Sequence, residues 1–218
     1  MYNPKWFKEE RIEVLQQAIE TIGFGTLVTT GRSGLLASHI PMMVERSAGK
    51  FGTILGHIAR GNTQWRDTVA GSEALAMFVG PDAYISPSWY QTHHEDGRVV
   101  PTWNYIAVHA TGRPVFYSDT TKLLSLVTRL TVHFEDLSST GWKVTDAPKD
   151  YLAAELRAIV GFEMPIAVIE GKWKLGQNRT KPDRAGAIRG LRGRGSEMDE
   201  EVSNEMESRL TDETREAR

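Results

Sequence analysis

The feature that most constrains the fold is a succession of short β-rich segments, most of which follow one another without an intervening helix. Residues 24–30, 35–45 and 51–59 are rich in Val, Ile, Leu, Thr and Phe, and the turn signals "GRSG" and "SAGK" separate them. Parallel strands would need a long crossover, usually a helix, between each pair. The pattern therefore predicts a mainly β fold with a mostly antiparallel sheet, and it argues against a doubly wound dinucleotide-binding fold.

Helical periodicity flanks this β-rich region. Apolar residues three or four positions apart predict helices over residues 7–22 and 119–136. Pro148, near the first turn of a further periodic segment, indicates a third helix over residues 148–160. The sequence contains no internal repeat, so we expect residues 1–191 to form a single domain with these helices packed outside the sheet.

The charge of the chain changes sign near its end. Residues 172–194 carry eight Lys or Arg against one Asp, and residues 196–218 carry nine Asp or Glu against three Arg. We predict that residues 192–218 form a charged tail, which is either a solvated helix or disordered. Two interpretations stay open: the tail neutralises the basic segment, or the basic segment binds phosphate groups and the tail masks it.

Composition limits the compartment and the chemistry. The sequence has no Cys, which excludes disulfides and thiolate chemistry, and it has no run of about 18 apolar residues that would span a membrane. The N-terminal residues are charged where a signal peptide needs an apolar core, so we expect a cytoplasmic protein without membrane contact. We expect no metal site, because the adjacent His93 and His94 point to opposite sides of an extended chain.

The segment "HIARGNTQW" is the first cluster that could carry chemistry. His57 is expected at the end of a strand, Arg60 in the following turn, and Asn62 at the N-cap of a short helix. A helix N-terminus offers free backbone N–H groups, and a guanidinium group forms paired hydrogen bonds to phosphate oxygens. The cluster therefore favours an anion site, and the alternative is an ordinary capped helix on the surface.

Two further clusters combine aromatic and polar side chains. In "PTWNYIAVHATG", Trp103 and Tyr105 share one face of a strand while Asn104 lies on the other. In "EGKWKLGQNR", three polar residues follow the end of a strand: Gln177, Asn178 and Arg179. Each cluster taken alone also fits ordinary sheet packing or a solvated strand end. No dinucleotide fingerprint, phosphate loop or nucleophile elbow is present, so the sequence assigns no catalytic residue.

The chain resembles the PaiB family of FMN-binding negative transcriptional regulators in six segments that occur in the same order. These are "MYNPKWF", "HIARGNTQW", "GPDAYISPSWY", "VVPTWNYIAVHATG", "DAPKDYL" and "EGKWKLGQNR". The resemblance covers residues 1 to about 191 and leaves the acidic tail outside. It implies the split β-barrel of flavin reductase-like and pyridoxamine-phosphate-oxidase-like proteins, a homodimer, and FMN held in grooves between the subunits.

The resemblance also implies which residues hold FMN. One group would bind its phosphate and ribityl chain: Ser38, His39, His57, Arg60 and Asn62. A second group would approach the ring system, in part from the partner subunit: Trp103, Asn104, Tyr105, Gln177, Asn178 and Arg179.

Two classes of function follow from this resemblance. In the first, FMN is structural or a sensor and the dimer is a negative transcriptional regulator, with residues 172–194 as its candidate DNA contact. In the second, the protein is a small flavin-dependent oxidoreductase that acts on a small molecule or a nicotinamide cofactor, because the flavin itself carries the redox chemistry. A haem-degrading protein is a third alternative.

Overall fold

The structure is a computed structural model that describes residues 1–216, with side chains described for residues 1–210. The strands of this described part are β1 (Lys8–Glu9), β2 (Phe24–Gly31), β3 (Gly34–Glu45), β4 (Thr53–Ala59), β5 (Ala74–Ile85), β6 (Thr102–Gly112), β7 (Val115–Tyr117) and β8 (Ile159–Lys174). The helices are α1 (Ile12–Ile22), α2 (Gln64–Asp67), α3 (Gln91–Glu95), α4 (Thr120–Ser138), α5 (Lys149–Arg157), α6 (Lys181–Arg194) and α7 (Glu197–Glu216). None of the described helices is both long and apolar enough to cross a membrane.

Contacts between residues divide the chain into two compact units. Unit 1 comprises Met1–Glu10, Val79–Val108 and the chain from Glu170 onward, and unit 2 comprises Arg11–Phe78 and His109–Ile169. The expected boundary at residue 191 falls inside unit 1, so the single domain over residues 1–191 stays a prediction.

Antiparallel pairing orders the sheet of unit 2. β2 pairs with β3 from Phe24–Pro41 to Gly31–Gly34, and its other edge pairs with β5. β4 pairs with β3 on one side and with β8 on the other, and β7 pairs with β8. The order within unit 2 is therefore β7–β8–β4–β3–β2–β5. These antiparallel pairings, with helices on the flanks of the strands, confirm the predicted mostly antiparallel β fold, and the described residues form eight strands in all.

Alternation along β2 and β3 separates a core side from an outer side. Leu27 and Ile40 point inward and are buried, whereas Phe24 and Leu35 are 60% and 76% exposed. Period-two alternation is what a strand with one covered face requires. The hairpin therefore contributes to the core of unit 2 and leaves an apolar outer face.

The flanking helices agree with the sequence in place but not always in length. α4 begins as predicted, because the side chain of Asp119 accepts a hydrogen bond from the backbone N–H of Lys122 at 2.8 Å. The helix predicted over residues 7–22 begins only at Ile12, because Lys8–Glu9 instead pair with β8. The helix predicted over residues 148–160 ends at Arg157, and the β-branched residues that follow begin β8.

The C-terminal segment 192–218 is largely helical over the part that the structure describes, and one face of that helix is packed. α7 buries Val202, Ser203 and Met206 in unit 1. Two ion pairs also hold it: Arg192 Nη2 lies 2.7 Å from Glu207 Oε2, and Arg209 Nη2 lies 2.5 Å from Glu9 Oε2. The described part of this segment is therefore a helix, as one of the two expected alternatives has it, but an apolar stripe packs one face of α7 while most of its other residues are exposed.

Candidate functional site

The predicted site residues fall into both units, and unit 2 holds the first group. There, Ser38 and Asn62 belong to a hydrogen-bond network centred on Gln64. Ser38 Oγ donates to Gln64 Oε1 at 2.5 Å and accepts from Asn62 Nδ2 at 2.7 Å. Gln64 Nε2 donates to the carbonyl of Leu27 and to Thr29 Oγ1, both at 3.1 Å. Gln64 is 2% exposed, so this network satisfies buried polar groups and joins the turn after β4 to β2 and β3.

Arg60 lies in the turn after β4, where the sequence predicts it. Its Nε donates to the carbonyl of Arg157 at 2.6 Å, and its Nη2 donates to the carbonyl of Ile159 at 2.8 Å. Its own carbonyl accepts from Trp65 Nε1 at 3.1 Å. The guanidinium group thus ties the turn after β4 to the junction between α5 and β8, and part of its donor capacity is already used within unit 2.

The helix expected to cap this cluster is short. α2 has four residues, and its N-cap position is Thr63 rather than Asn62. Asn62 still caps a backbone group, because its Oδ1 accepts from the N–H of Gln64 at 2.9 Å. A helix of one turn carries little macrodipole, so the expected contribution of a helix N-terminus to anion binding does not apply here.

The two histidines of the first group lie apart from the Gln64 network. His39 is exposed on the outer side of β3, where its Nδ1 lies 2.8 Å from Thr26 Oγ1. Adjacent strand residues face opposite sides of a sheet, which separates His39 from Ser38. His57 lines an open cavity of about 260 Å³ together with α4 and Trp142. Burial lowers the pKa of His57, so its imidazole is neutral at neutral pH.

The second group of predicted residues lies in unit 1. Trp103 is 54% exposed, and its ring meets Tyr84 edge-on with the centroids 6.0 Å apart. Asn104 faces inward and is buried, with its Nδ2 3.3 Å from Met206 Sδ. Lys172 Nζ lies 5.3 Å from the ring centroid of Tyr105. The strand therefore presents Trp103 outward and keeps Asn104 inside unit 1, as the predicted alternation requires.

Residues 177–179 form the turn between β8 and α6. Gln177 closes this turn, because its Nε2 donates to the carbonyl of Trp173 at 2.6 Å and its Oε1 accepts from the N–H of Leu175 at 2.8 Å. Gly176 precedes it with a φ of 81°, a backbone conformation that favours glycine. Gln177 therefore shapes the turn, while Asn178 and Arg179 line a cavity beside it.

This cavity of unit 1 measures about 50 Å³ and gathers hydrogen-bond donors from three segments. Six of its lining residues carry a donor: Tyr90, Thr102, Asn104, Lys174, Asn178 and Arg179. Lys174 Nζ donates to Thr102 Oγ1 at 2.5 Å and to the carbonyl of Trp103. The guanidinium of Arg179 lies 5.0 Å from the ring centroid of Tyr90. Unit 1 thus brings together three of the predicted residues, Asn104, Asn178 and Arg179.

The sequence did not single out Gln64, Lys174, Thr102 or Tyr90. For Lys174 there was a signal, since "GKWKL" places lysines two residues apart in an otherwise apolar strand. The others carried none, because a buried Gln in a turn resembles any polar loop residue. Among the described residues, no group of three or more His, Asp or Glu side chains is arranged to hold a metal ion.

Comparisons of the sequence with known proteins identify relatives along nearly the whole chain. A family model described as "Putative FMN-binding domain" matches residues 1–168. The Bacillus subtilis protein "Protease synthase and sporulation protein PAI 2" is 34% identical over 217 residues, which cover 96% of this chain and 98% of that protein. The Emericella nidulans protein AN0679 is 31% identical over 245 residues, which cover 96% of this chain and 97% of that protein.

Solved structures share the fold at low sequence identity. The flavocytochrome Anf3 from Azotobacter vinelandii has a TM-score of 0.57 and 14% identity, over 81% of this chain and 71% of that chain. The FAD- and haem-binding protein from Mycobacterium smegmatis has a TM-score of 0.54 and 15% identity, over 77% of this chain and 73% of that chain. At such identities the likeness shows the fold alone, and it agrees with the predicted fold class.

The resemblance noted in the six sequence segments is confirmed by these matches. The family description supports FMN as the cofactor. The chain therefore belongs to the PaiB family of FMN-binding proteins.

Proposed function

We propose that the protein is an FMN-binding homodimer that acts as a negative transcriptional regulator through its flavin rather than through direct contact with DNA. The name of its Bacillus subtilis relative, which refers to protease synthase and sporulation, favours a regulatory role. When bound, FMN supplies redox chemistry that protein side chains lack. The chain then has to bind the flavin, to orient it and to transmit its redox state.

The side chains of unit 1 suit the chemical demands of FMN. Phosphate oxygens require cationic and neutral donors, and Lys174, Arg179 and Asn178 provide them around one cavity. A flavin ring requires an aromatic surface, and Trp103 exposes about half of its own. The donor set therefore fits the cofactor that the family description names.

The observation that carries the flavin-mediated role is that three cations of the basic segment 172–194 already have partners within the chain. Arg194 pairs with Asp199 through two guanidinium nitrogens, and Arg192 pairs with Glu207. Lys172 is buried and donates to the carbonyl of Tyr2 at 2.9 Å. DNA phosphates would have to displace these partners, so the acidic helix α7 makes DNA contact by the end of this segment unfavourable.

A mobility-shift titration over about 50–200 mM salt tests this role, because direct phosphate contacts lose affinity steeply over that range. We expect no sequence preference above that for random duplex, with FMN bound or removed. A sequence-specific complex that weakens steeply with salt would overturn the proposal and restore residues 172–194 as the DNA contact.

The homodimer is supported by the outer side of the β2–β3 hairpin. Phe24, Leu35, Ala37 and His39 all lie exposed there, and none of them carries a fixed charge. An exposed sheet face that carries large apolar side chains and no fixed charge is typical of a surface that associates with another protein. We place the second copy of the chain on this face.

The substitution Leu35→Lys tests the dimer, with Leu137→Lys as its matched control. Both leucines belong to unit 2, and they are 76% and 66% exposed. Light scattering should show a dimer for the wild type and for the control, and a monomer for Leu35→Lys. A monomeric wild type, or a dimer unaffected by Leu35→Lys, would contradict this placement.

A small-molecule oxidoreductase is the second candidate, and the cavity at His57 favours it. Val127, Leu130, Phe134 and Trp142 give this cavity an apolar wall, and the neutral imidazole of His57 is able to accept a proton there. Rapid loss of the visible flavin absorption on addition of NADH or NADPH, followed by reoxidation in air, would favour this activity. Absence of bleaching with both reductants would favour the regulator.

A further inference from the structure

The small cavity of unit 1 has an excess of positive charge. Lys174 and Arg179 both line it, and none of the described residues around it carries a carboxylate. Within the described chain, no Asp or Glu oxygen lies within ion-pair distance of either cation. Arg192, Arg194 and Arg209, by contrast, each have a carboxylate partner.

The pKa of Lys174 also reflects an excess of positive charge at the cavity. Burial, and then the charges of Lys172 and Arg179, lower the pKa of Lys174. Its ammonium group is held by neutral acceptors, Thr102 Oγ1 and the carbonyl of Trp103. An anion placed in the cavity would offset the repulsion among these cations.

The nearest candidate to neutralise the cavity is Asp183, and its carboxylate is engaged elsewhere. Its Oδ1 accepts from the backbone N–H of Thr92 and its Oδ2 accepts from Thr92 Oγ1, both at 2.9 Å. Although burial opposes it, these hydrogen bonds together with the charge of Arg179 hold the pKa of Asp183 below its usual value. Asp183 therefore joins α6 to α3, and it is not among the residues that line the cavity.

The size of the cavity limits what can occupy it. A volume of about 50 Å³ has room for a small group of atoms, but it is far too small for a flavin ring. The lining combines two cations, two amides and two hydroxyl groups, which is a donor set suited to several oxygen atoms on one centre.

From the lining, the unpaired cations and the volume, we infer that Lys174, Arg179 and Asn178 form a binding site for one small oxyanion of the phosphate type. The oxyanion is either the phosphate group of FMN or a free phosphate-like ion. The first source rests on the proposed flavin binding, whereas the second does not. If FMN is the source, its phosphate binds in unit 1 and not at Arg60, where the sequence predicts it.

Comparison of FMN with riboflavin isolates the phosphate, because the two flavins differ only in that group. Dissociation constants for both are measured by flavin fluorescence for the wild type, Lys174→Met and Arg179→Gln. Lys181→Met is the matched control. Lys181 is exposed at the start of α6, and its substitution removes the same charge as Lys174→Met. Arg60→Ala reports on the alternative phosphate position. Thermal unfolding with and without inorganic phosphate is recorded for every variant.

The two sources predict different results, and both support the site. If FMN is the source, Lys174→Met and Arg179→Gln weaken FMN binding about 10- to 100-fold, while riboflavin binding and the Lys181→Met control stay unchanged. If a free ion is the source, inorganic phosphate raises the melting temperature of the wild type but not of Lys174→Met, and the FMN-to-riboflavin ratio does not change.

The inference is overturned if phosphate stabilises no protein and only Arg60→Ala lowers the preference for FMN over riboflavin. Failure of the proposed function looks different, because no flavin would bind while stabilisation by phosphate still depended on Lys174. Arg179→Gln, which retains amide donors, keeps the test valid if Lys174→Met does not fold.

Discussion

Glycines of α6 let this helix approach Trp89, and their replacement is a quantitative test of the packing in unit 1. A Cβ atom at Gly190 would lie 2.1 Å from the indole ring of Trp89, and a Cβ atom at Gly186 would lie 1.9 Å from the Trp89 carbonyl oxygen. A Cβ atom at Gly193 would meet nothing within 4 Å. The run "GLRGRG", which does not fit a dinucleotide loop, thus serves helix packing at one of its glycines and leaves another free as a control.

Two opposing contributions set the effect of Gly190→Ala on stability. Alanine gains about 1 kcal/mol over glycine in a helix. The new methyl group would lie more than 1 Å closer to Trp89 than the 3.4 Å of an ordinary contact. Overpacking of this kind costs about 3 kcal/mol, the upper end of its usual range. We therefore expect Gly190→Ala to lower the free energy of unfolding by about 2 kcal/mol. Gly193→Ala keeps only the gain, and it should stabilise the protein by up to about 1 kcal/mol.

Urea unfolding followed by far-ultraviolet circular dichroism measures both free energies under one set of conditions. The expected gap between the two variants is about 3 kcal/mol, which exceeds the uncertainty of the extrapolation to water. Gly193→Ala controls for helix propensity, since it makes the same chemical change on the same helix. Equal free energies of unfolding for Gly190→Ala and Gly193→Ala would refute the close approach of α6 to Trp89.

Three further substitutions test other contacts by the same unfolding measurement. Gln64→Leu should cost about 1–3 kcal/mol, because it removes the hydrogen bonds from Gln64 Nε2 to the carbonyl of Leu27 and to the hydroxyl of the buried Thr29, and an unchanged stability would show that the network is dispensable. The hydrogen bond from Arg194, although burial opposes it, lowers the pKa of Asp199 to about 2, so its stabilisation is complete above pH 4 and is lost as the pH falls through about 2. Asp199→Asn should remove about 1–2 kcal/mol at pH 7 and little at pH 2, allowing for the partial exposure of Arg194, and a pH-independent loss would contradict the ion pair. Arg60→Ala should cost about 1–3 kcal/mol through its lost bonds to two backbone carbonyls, and a neutral effect would show that Arg60 does not hold the turn after β4 to the junction between α5 and β8.

The fold was largely predictable because its signals are local. Turn residues separate the first β-rich segments, and Asp119 caps α4 as its position before an apolar stripe indicates. The start of α1 was missed because Lys8 and Glu9 form a strand only through pairing with β8, a contact between residues far apart in sequence. A strand of only two residues is too short to show the alternation of apolar and polar residues that identifies longer strands.

The candidate site was predictable by residue type but not by arrangement. Ser38 and His39 are neighbours in sequence, yet strand alternation separates their side chains, so a motif carried over as a block grouped residues that do not meet. Arg60 has the chemistry for phosphate, but its partners are carbonyls of residues 157 and 159, which no local pattern reveals. The structure is therefore needed to separate residues that build the scaffold from residues that remain available to a ligand.

The charge reversal near the end of the chain shows how the sequence and the structure together locate the positive charge that is open to a ligand. Val202 and Met206 are four residues apart and form the apolar stripe that anchors α7, so the helix could have been predicted from the sequence as a packed element. Its packing brings Asp199 to Arg194 and Glu207 to Arg192, and these pairs neutralise the last turn of α6. Lys174 and Arg179 precede that helix and, in the described chain, have no carboxylate oxygen within ion-pair distance, although Arg179 lowers the pKa of Asp183 through its charge. The positive charge that α7 leaves for a ligand is thus concentrated at the start of the basic segment, beside the donors of β6.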